Sequence, residues 1–316
     1  MIVVTGGAGF VGSNVIEVLT KDRSDVVVVD RLTQDNWHNL AGKAIADYVD
    51  KDELFKKLDG ESVDTLIHLG ARTDTLDMDA KGILEDNFEY SKRLWKWCAQ
   101  RETTLVFASS ASVYGRGECG FEESVDVSRL KPLNPYALSK WLFEAWIQRQ
   151  ATHPARWYGL RFFNVYGLGE DHKGRMASMV LQAYLQLRDS SKVRLYRSGR
   201  PDYRDGEQLR DFVHVLDVAS VVRYLSEATS APSGLYNVGS GKARSYNDLV
   251  RATAYAMNAE PRIEYVDMPA GLGTRYQYFT EADLTKLRAA GYREKFLPLE
   301  EGIRQYVTER VAQERS

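Results

Sequence analysis

Short apolar runs rich in β-branched residues punctuate the first half of the chain: IVVT at 2–5, DVVVVD at 25–30, TLIHLG at 65–70, TLVFASS at 104–110 and WYGLRFFNVYG at 157–167. They are continuous rather than alternating, so they predict strands buried on both faces. Between them lie stretches with helical spacing of apolar positions, at 12–20, 51–58, 83–100 and 135–150. Strand and helix in alternation predict a parallel sheet covered by helices on both sides. After Gly167 the pattern loosens. The run 210–220 predicts strand, turn and helix entry, and GLYNVGSG at 234–241 predicts another strand ending in glycines. The expected fold class is α/β, a Rossmann doubly wound parallel sheet with a smaller mixed α/β C-terminal domain.

The first predicted strand runs directly into Gly6-Gly7-Ala8-Gly9-Phe10-Val11-Gly12. Gly7, Gly9 and Gly12 fit the dinucleotide fingerprint, and Gly6, Gly9 and Gly12 fit its wider spacing. Glycines there permit a tight turn and close approach of backbone N–H groups to a pyrophosphate at a helix N-terminus. The second strand ends at Asp30, 18 residues beyond Gly12, where an acid meets the adenosine ribose. Arg31 follows at once. An acid at this place favours NAD and an arginine favours NADP, so both cofactors stay open on the residues alone.

The strand TLVFASS ends in serines, which places Ser110 and Ser112 at the carboxyl end of the sheet, where ligands of open α/β folds sit. NPYALSK at 134–140 contains the chain's single Tyr-x-x-x-Lys, although 18 tyrosines are present. Pro135 suits a helix first turn, so Tyr136 and Lys140 share one helix face. An ammonium beside a cationic nicotinamide is expected to lower the tyrosine pKa and ready it for proton exchange with a sugar hydroxyl.

Composition narrows the class further. The chain of 316 residues has a formal net charge of -2, which leaves no electrostatic footprint for nucleic acid or a membrane surface. Two cysteines, Cys98 and Cys119, and five scattered histidines supply neither a disulfide framework nor metal-ligand spacing, so no metal is expected. The apolar runs are too short to cross a membrane. A cytoplasmic protein is the expectation.

With glycine turn, serine strand and Tyr/Lys pair in order, the chain resembles the extended short-chain dehydrogenase/reductase family over essentially its full length. The phrases IADYVDKDEL (45–54), ASSASVYG (108–115), PLNPYALSKWLFE (132–144), RFFNVYG (161–167), HKGRMAS (172–178), GEQLRDFVHVLDVA (206–219) and TRYQYFTEADLTKLRAAGY (274–292) narrow the likeness. They resemble the epimerase subgroup that inverts carbon six of an ADP-linked heptose for the lipopolysaccharide inner core. The resemblance implies a homo-oligomer, a pentamer in that subgroup, with one tightly held NADP per subunit and transient oxidation at that carbon. It implies Tyr136 and Lys173 as the two proton-handling groups, Ser110 as partner of the reacting oxygen and Lys140 as cofactor-binding lysine. It implies cofactor contacts at Gly6, Gly9, Phe10, Val11, Gly12, Asp30, Arg31, Lys51, Leu69, Gly70, Ala71, Asn87 and Val165. Substrate contacts are implied at Asn164, Arg175, Gln182, Tyr196, Arg210 and Tyr276. Residues 1–165 plus about 209–240 are then expected to bind NADP, and about 166–208 plus 241–316 to bind substrate.

Some stretches depart from the subgroup. DRLTQDNWHNL lacks the lysine that commonly follows the acid, leaving Arg31 to favour NADP. HLGARTDT carries Asp74, with Asp77 just beyond, where the usual loop is different. VYGLGED lacks the common Pro-Arg, and the charged loop 198–208 varies in length in the family. A UDP-sugar 4-epimerase and a catalytically silent NAD(P)-binding regulator are the competing readings. A 4,6-dehydratase is disfavoured because ASSASVYG lacks an Asp-Glu pair.

Overall fold

Valine and isoleucine fill the strands of the computed structural model, which describes residues 1–269, 271, 273 and 276–315. Seven strands make the main sheet: β1 (Ile2–Thr5), β2 (Val26–Asp30), β3 (Asp47–Asp50), β4 (Thr65–His68), β5 (Thr104–Ser110), β6 (Trp157–Phe162) and β10 (Gly234–Val238). Their spatial order is β10-β6-β5-β4-β1-β2-β3, and every pairing is parallel. Chain order reverses between β1 and β4, which opens a crevice beyond the carboxyl ends of those strands.

Helices cover both faces, as expected for strands apolar on both sides. On one face α1 (Phe10–Leu19) and α7 (Val215–Glu227) pack together through Val15, Ile16, Val218 and Val222. On the other, the short α2 (Leu54–Lys57), α4 (Tyr90–Gln100) and α5 (Pro135–Ile147) bury Leu54, Leu94, Trp95 and Phe143.

A second body has its own core of Leu181, Leu187, Leu249, Val250, Ile303 and Val307. It comprises α6 (Met179–Ser190), α8 (Tyr246–Ala256) and α10 (Leu299–Arg315), with β8 (Val193–Tyr196) parallel to β12 (Ile263–Val266). A three-stranded sheet of β7 (Asn164–Tyr166), β9 (Leu209–His214) and β11 (Ala243–Ser245) lies between the two in chain connectivity. The helix α9 (Thr285–Ala289) packs near β10.

Several expected elements differ in detail. The single strand at 157–167 is two: the chain leaves the main sheet after Phe162 and re-pairs with β9 from Asn164. The main chain turns at Phe163, whose N–H donates to Val238 at 3.0 Å. The segment 47–50, too polar to stand out, is the edge strand β3. The helix expected at 51–58 begins as a 3₁₀ turn and is α-helical only over Leu54–Lys57. The helix expected at 83–100 starts earlier, at α3 (Ala80–Leu84), and passes through a π turn at Glu85–Glu89 before α4. One residue of that turn, Asn87, is fully buried.

A charged pair joins α5 to the sheet. Arg161 of β6 and Glu144 of α5 have no exposed side-chain surface and meet at 2.6 and 3.0 Å. Ser109 donates to the same carboxylate at 2.6 Å, and Arg161 donates to the Tyr114 hydroxyl at 2.8 Å. Tyr114 in turn donates to Asn237 of β10 at 2.7 Å. Removing one member strands the other charge in an apolar interior. Arg161→Met is expected to lower unfolding free energy by about 3–5 kcal/mol, read from urea denaturation. Replacing both partners with apolar residues is expected to cost clearly less.

Candidate active site

β1 delivers the chain to Gly6, which has a φ of +74° and closes onto Val29 through its N–H at 2.8 Å. A side chain at Gly6 would strike the Gly70 backbone, and one at Gly12 would strike the Gly6 carbonyl. Gly9 caps α1 with extended backbone and no side-chain hydrogen bond, so the first N–H groups of this helix are left for a ligand. Asp30 accepts from Ala8 N–H at 2.8 Å and Arg31 N–H at 2.7 Å. Burial raises its pKa, and these backbone donors oppose the rise. The carboxylate therefore holds the turn as well as facing the cavity.

That cavity, about 510 Å³, is lined by Gly6, Gly9, Phe10, Val11, Gly12 and Asp30 on one side, and by Leu69, Gly70 and Ala71 from the end of β4. Lys173, Arg175 and Met176 form its third wall. Backbone donors at a helix start, an acid at the end of β2 and a glycine cradle fit a dinucleotide.

A second cavity of about 370 Å³ continues from it, sharing Phe10, Val11, Leu69, Ala71, Lys173 and Met176. Ser110, Tyr136, Lys140, Asn164 and Val165 line it. Asn134 starts the helix that presents the pair: its side chain accepts from Ala137 N–H at 2.8 Å, with Pro135 in the first turn. Tyr136, Lys140 and Glu144 then recur at helical spacing. Ser110 and Tyr136 line the same cavity, and the Lys140 ammonium donates to the Ala108 carbonyl at 2.9 Å.

Burial raises the Tyr136 pKa, and the Ser110 hydroxyl opposes it only in part. Without a bound cation the tyrosine is a phenol, not a readied phenolate. Lys140 is itself pushed down by burial to about 8, against the pull of Glu144.

Lys173 comes from a 3₁₀ segment, Asp171–Met176, and lies over the Phe10 ring at 5.3 Å. Burial lowers its pKa. Among the described residues its ammonium has no hydrogen-bond or ion-pair partner. Asn39, which the sequence reading passed over, ties this segment to the glycine turn: its amide donates to Ala8 at 2.9 Å and Gly169 at 3.2 Å.

A third cavity, about 370 Å³, shares Met179 and Tyr246 with the second and is lined by Gln182, Tyr196 and Tyr276. Gln182 also donates to Ala177 at 2.9 Å. Gln208, likewise passed over, lies buried in its wall.

Not every expected contact lines a cavity. Asn87 does not: it exchanges hydrogen bonds with both backbone groups of Arg72 and donates to Ser139, so it shapes the loop after β4. Lys51 pairs with Asp86 at 2.7 Å and lies over Tyr90. Arg31 pairs with Asp52 at 3.1 Å outside the cavity wall. Arg175 reaches the cofactor-side cavity rather than the substrate end, and pairs with Asp74 at 2.6 Å. Arg210 is buried over the Tyr276 ring, donating to the carbonyls of Leu209 and Gln277. Ser112 is half-buried and lines none of these cavities; its hydroxyl oxygen is shielded from solvent and its N–H donates to Ser110 Oγ at 3.2 Å.

The fold and the cavity pair define a nicotinamide-dinucleotide enzyme of the Rossmann class. The chain belongs to the NAD dependent epimerase/dehydratase family, whose model matches residues 2–239. It is 41% identical, over all of its own length and 99% of the relative's, to a Fusobacterium nucleatum protein named ADP-L-glycero-D-manno-heptose-6-epimerase. Among solved structures it is similar to the Helicobacter pylori ADP-L-glycero-D-manno-heptose-6-epimerase, with a TM-score of 0.82 at 28% identity, covering 98% of this chain and 96% of that one. The Thermus thermophilus UDP-glucose 4-epimerase, solved with NAD, has a TM-score of 0.80 at 28% identity, covering 97% of each chain. No helix among the described residues is long and apolar enough to cross a membrane.

A methyl group at Gly12 has no room beside the Gly6 carbonyl. Gly12→Ala is expected to weaken dinucleotide binding by about tenfold or more, read by fluorescence titration, while the unfolding transition stays cooperative.

Proposed function

We propose that this chain interconverts ADP-D-glycero-D-manno-heptose and ADP-L-glycero-D-manno-heptose, by oxidation and re-reduction at carbon six, in the cytoplasmic supply of heptose for lipopolysaccharide. The observation that carries this reading is the placement of Tyr136 and Lys173, from separate elements, in the wall of one cavity between a dinucleotide cradle and a tyrosine-lined end. Inversion of a carbinol requires proton transfer in both senses, and two groups on different walls can serve the two faces. The relatives' names supply the substrate.

The nicotinamide, when bound, supplies reversible hydride acceptance. Tyr136 exchanges the hydroxyl proton on one face of the sugar and Lys173 on the other. Ser110 donates to the reacting oxygen. Lys140, fixed on the Ala108 carbonyl, holds its positive charge near the cofactor ribose end of the cavity and favours the ionised tyrosine once a cationic ring is present. Tyr276 and Tyr196 offer surfaces to the adenosine moiety, and the assembly is a homo-oligomer.

NADP is the proposed cofactor. Arg31 adjoins the ribose-binding acid, and its partner Asp52 is well exposed; a pair of that kind is worth little and gives way to a 2′-phosphate. Arg31→Ala is therefore expected to weaken NADP binding about tenfold, with NAD binding unchanged. Equal loss for both cofactors, or none, refutes this preference.

The activity is tested by incubating the purified protein with ADP-D-glycero-D-manno-heptose and resolving the product by NMR. Formation of the L-glycero epimer supports the reading; epimerisation of UDP-galactose instead assigns the chain to the 4-epimerases. Tyr136→Phe and Lys173→Met are each expected to lower turnover by about 10²–10⁴-fold while dinucleotide stays bound. Near-normal epimerisation by Lys173→Met would remove it from the mechanism.

A further inference from the structure

Lys173 sits in the middle of a segment that leaves β7 at Gly167 and enters α6 at Ser178. The segment contains no apolar anchor of its own between Glu170 and Met176, and Gly174 interrupts it with a φ of +51°. Its two ends are instead joined by one carboxylate. Glu170 is fully buried. It accepts from Ser178 N–H at 2.5 Å and Ser178 Oγ–H at 2.8 Å, and more weakly from Gly167 N–H at 3.4 Å. Both ends of the segment thus converge on a single side chain, and the Glu170 carbonyl accepts from the Lys173 N–H at 3.0 Å within the loop so formed.

We propose that Glu170 is the positioning residue for Lys173: its carboxylate closes the 167–178 segment into a fixed loop and places a buried negative charge three residues from the lysine within it. This rests on the reading of Lys173 as a proton-handling group.

The other charges near Lys173 do not substitute for it. Asp171 is committed to Arg310 of α10 at 2.6 Å. Asp30 is held by the backbone N–H groups of the glycine turn. Asp74 is committed to Arg175. His172 has its pKa lowered by burial and by Lys173 itself, so it is neutral. From α5, Tyr136 and Lys140 share the cavity, the first uncharged and the second cationic. Tyr306 of α10 approaches Glu170 and is a neutral phenol. Glu170 is the group that opposes the burial-driven fall of the Lys173 pKa, and Lys173 together with the Ser178 donors opposes the burial-driven rise of the Glu170 pKa. Each charge steadies the other across the loop.

Two substitutions separate the charge from the reach. Glu170→Gln removes the charge at nearly constant size. The Lys173 pKa then falls, and a rate limb that requires neutral lysine moves to lower pH, by about half a unit or more. Glu170→Asp keeps the charge but is one methylene short of spanning both ends. It is expected to lower kcat about three- to tenfold through misplacement, with the limb where it was. A second readout needs no turnover: the pH dependence of Lys173 acetylation in the dinucleotide-bound protein, followed by mass spectrometry, reports the same shift in Glu170→Gln. If that titration coincides with the parent's, the proposal is overturned. So it is if Glu170→Asp works at the full parental rate. Should Lys173→Met prove active, the reading of Lys173 falls, yet the acetylation titration still decides whether Glu170 sets its charge. Ser178→Ala deletes one of the carboxylate's donors without altering either charge, and covers the case in which Glu170→Gln does not fold. It is expected to lower kcat and leave the titration unmoved; a parental kcat in Ser178→Ala also overturns the proposal.

Discussion

The buried pairing of Glu144 with Arg161 is the constraint on which the site's geometry depends. A helix lying on a sheet can slide or roll by a fraction of a turn at small cost if only apolar side chains meet. A carboxylate locked to a guanidinium at two points, with Ser109 on its other side, cannot. The pair sits two helical turns beyond Tyr136 and one beyond Lys140, so it fixes both the rotation and the height of α5. Ser109 and Ser110 are neighbours on β5: one binds the anchor and the other lines the cavity that also holds the tyrosine. The strand that supplies the serine and the helix that supplies the tyrosine are therefore set against each other one residue from where the chemistry is proposed. Buried ion pairs add little net stability over an apolar contact; what this one gives is a unique register.

The second wall of the cavity is built differently. Lys173 belongs to no regular element long enough to orient it, and its segment is held by side chains that cross to it from elsewhere. Asn39 and Asn14 bind its carbonyls at Gly169 and Leu168, Arg310 binds Asp171, and Asp74 binds Arg175. These ties run to the glycine turn, to the first body's rim and to the last helix. A segment tied at so many points keeps its lysine over the Phe10 ring without giving that lysine a partner of its own. The ammonium is left available because its neighbours are spoken for.

How much of this was legible in the sequence follows from the range of each signal. The glycine turn, the Ser strand end and Tyr136/Lys140 are local patterns, in which spacing alone fixes the face, and the structure puts them where the spacing implies. Asn87, a cofactor contact by resemblance, lies in a π turn, which leaves no mark in apolar periodicity, and bonds the Arg72 backbone. Arg175 was placed with the substrate by resemblance; it pairs with Asp74 of the loop after β4 in the wall of the cofactor-side cavity. One signal could have been read and was not: Arg161 interrupts an apolar strand that is buried on both faces, and a charge there must have a partner. Glu144, eight residues after Tyr136 on the same face, was the natural candidate.

The two active-site lysines show why one residue type can serve two ends in one cavity. Both are stripped of water, so burial lowers the pKa of each. Lys140 donates to the Ala108 carbonyl and sits one helical turn from Glu144, so its ammonium is held in place even though burial lowers its pKa to about 8. Lys173 has no such carbonyl, and the nearby Glu170 carboxylate is itself occupied by Ser178. A desolvated lysine with no bonded partner is free to approach a substrate hydroxyl, as the proposed role of Lys173 requires. The difference between a clamped lysine and an unclamped one arises from which backbone and carboxylate groups the fold has already committed.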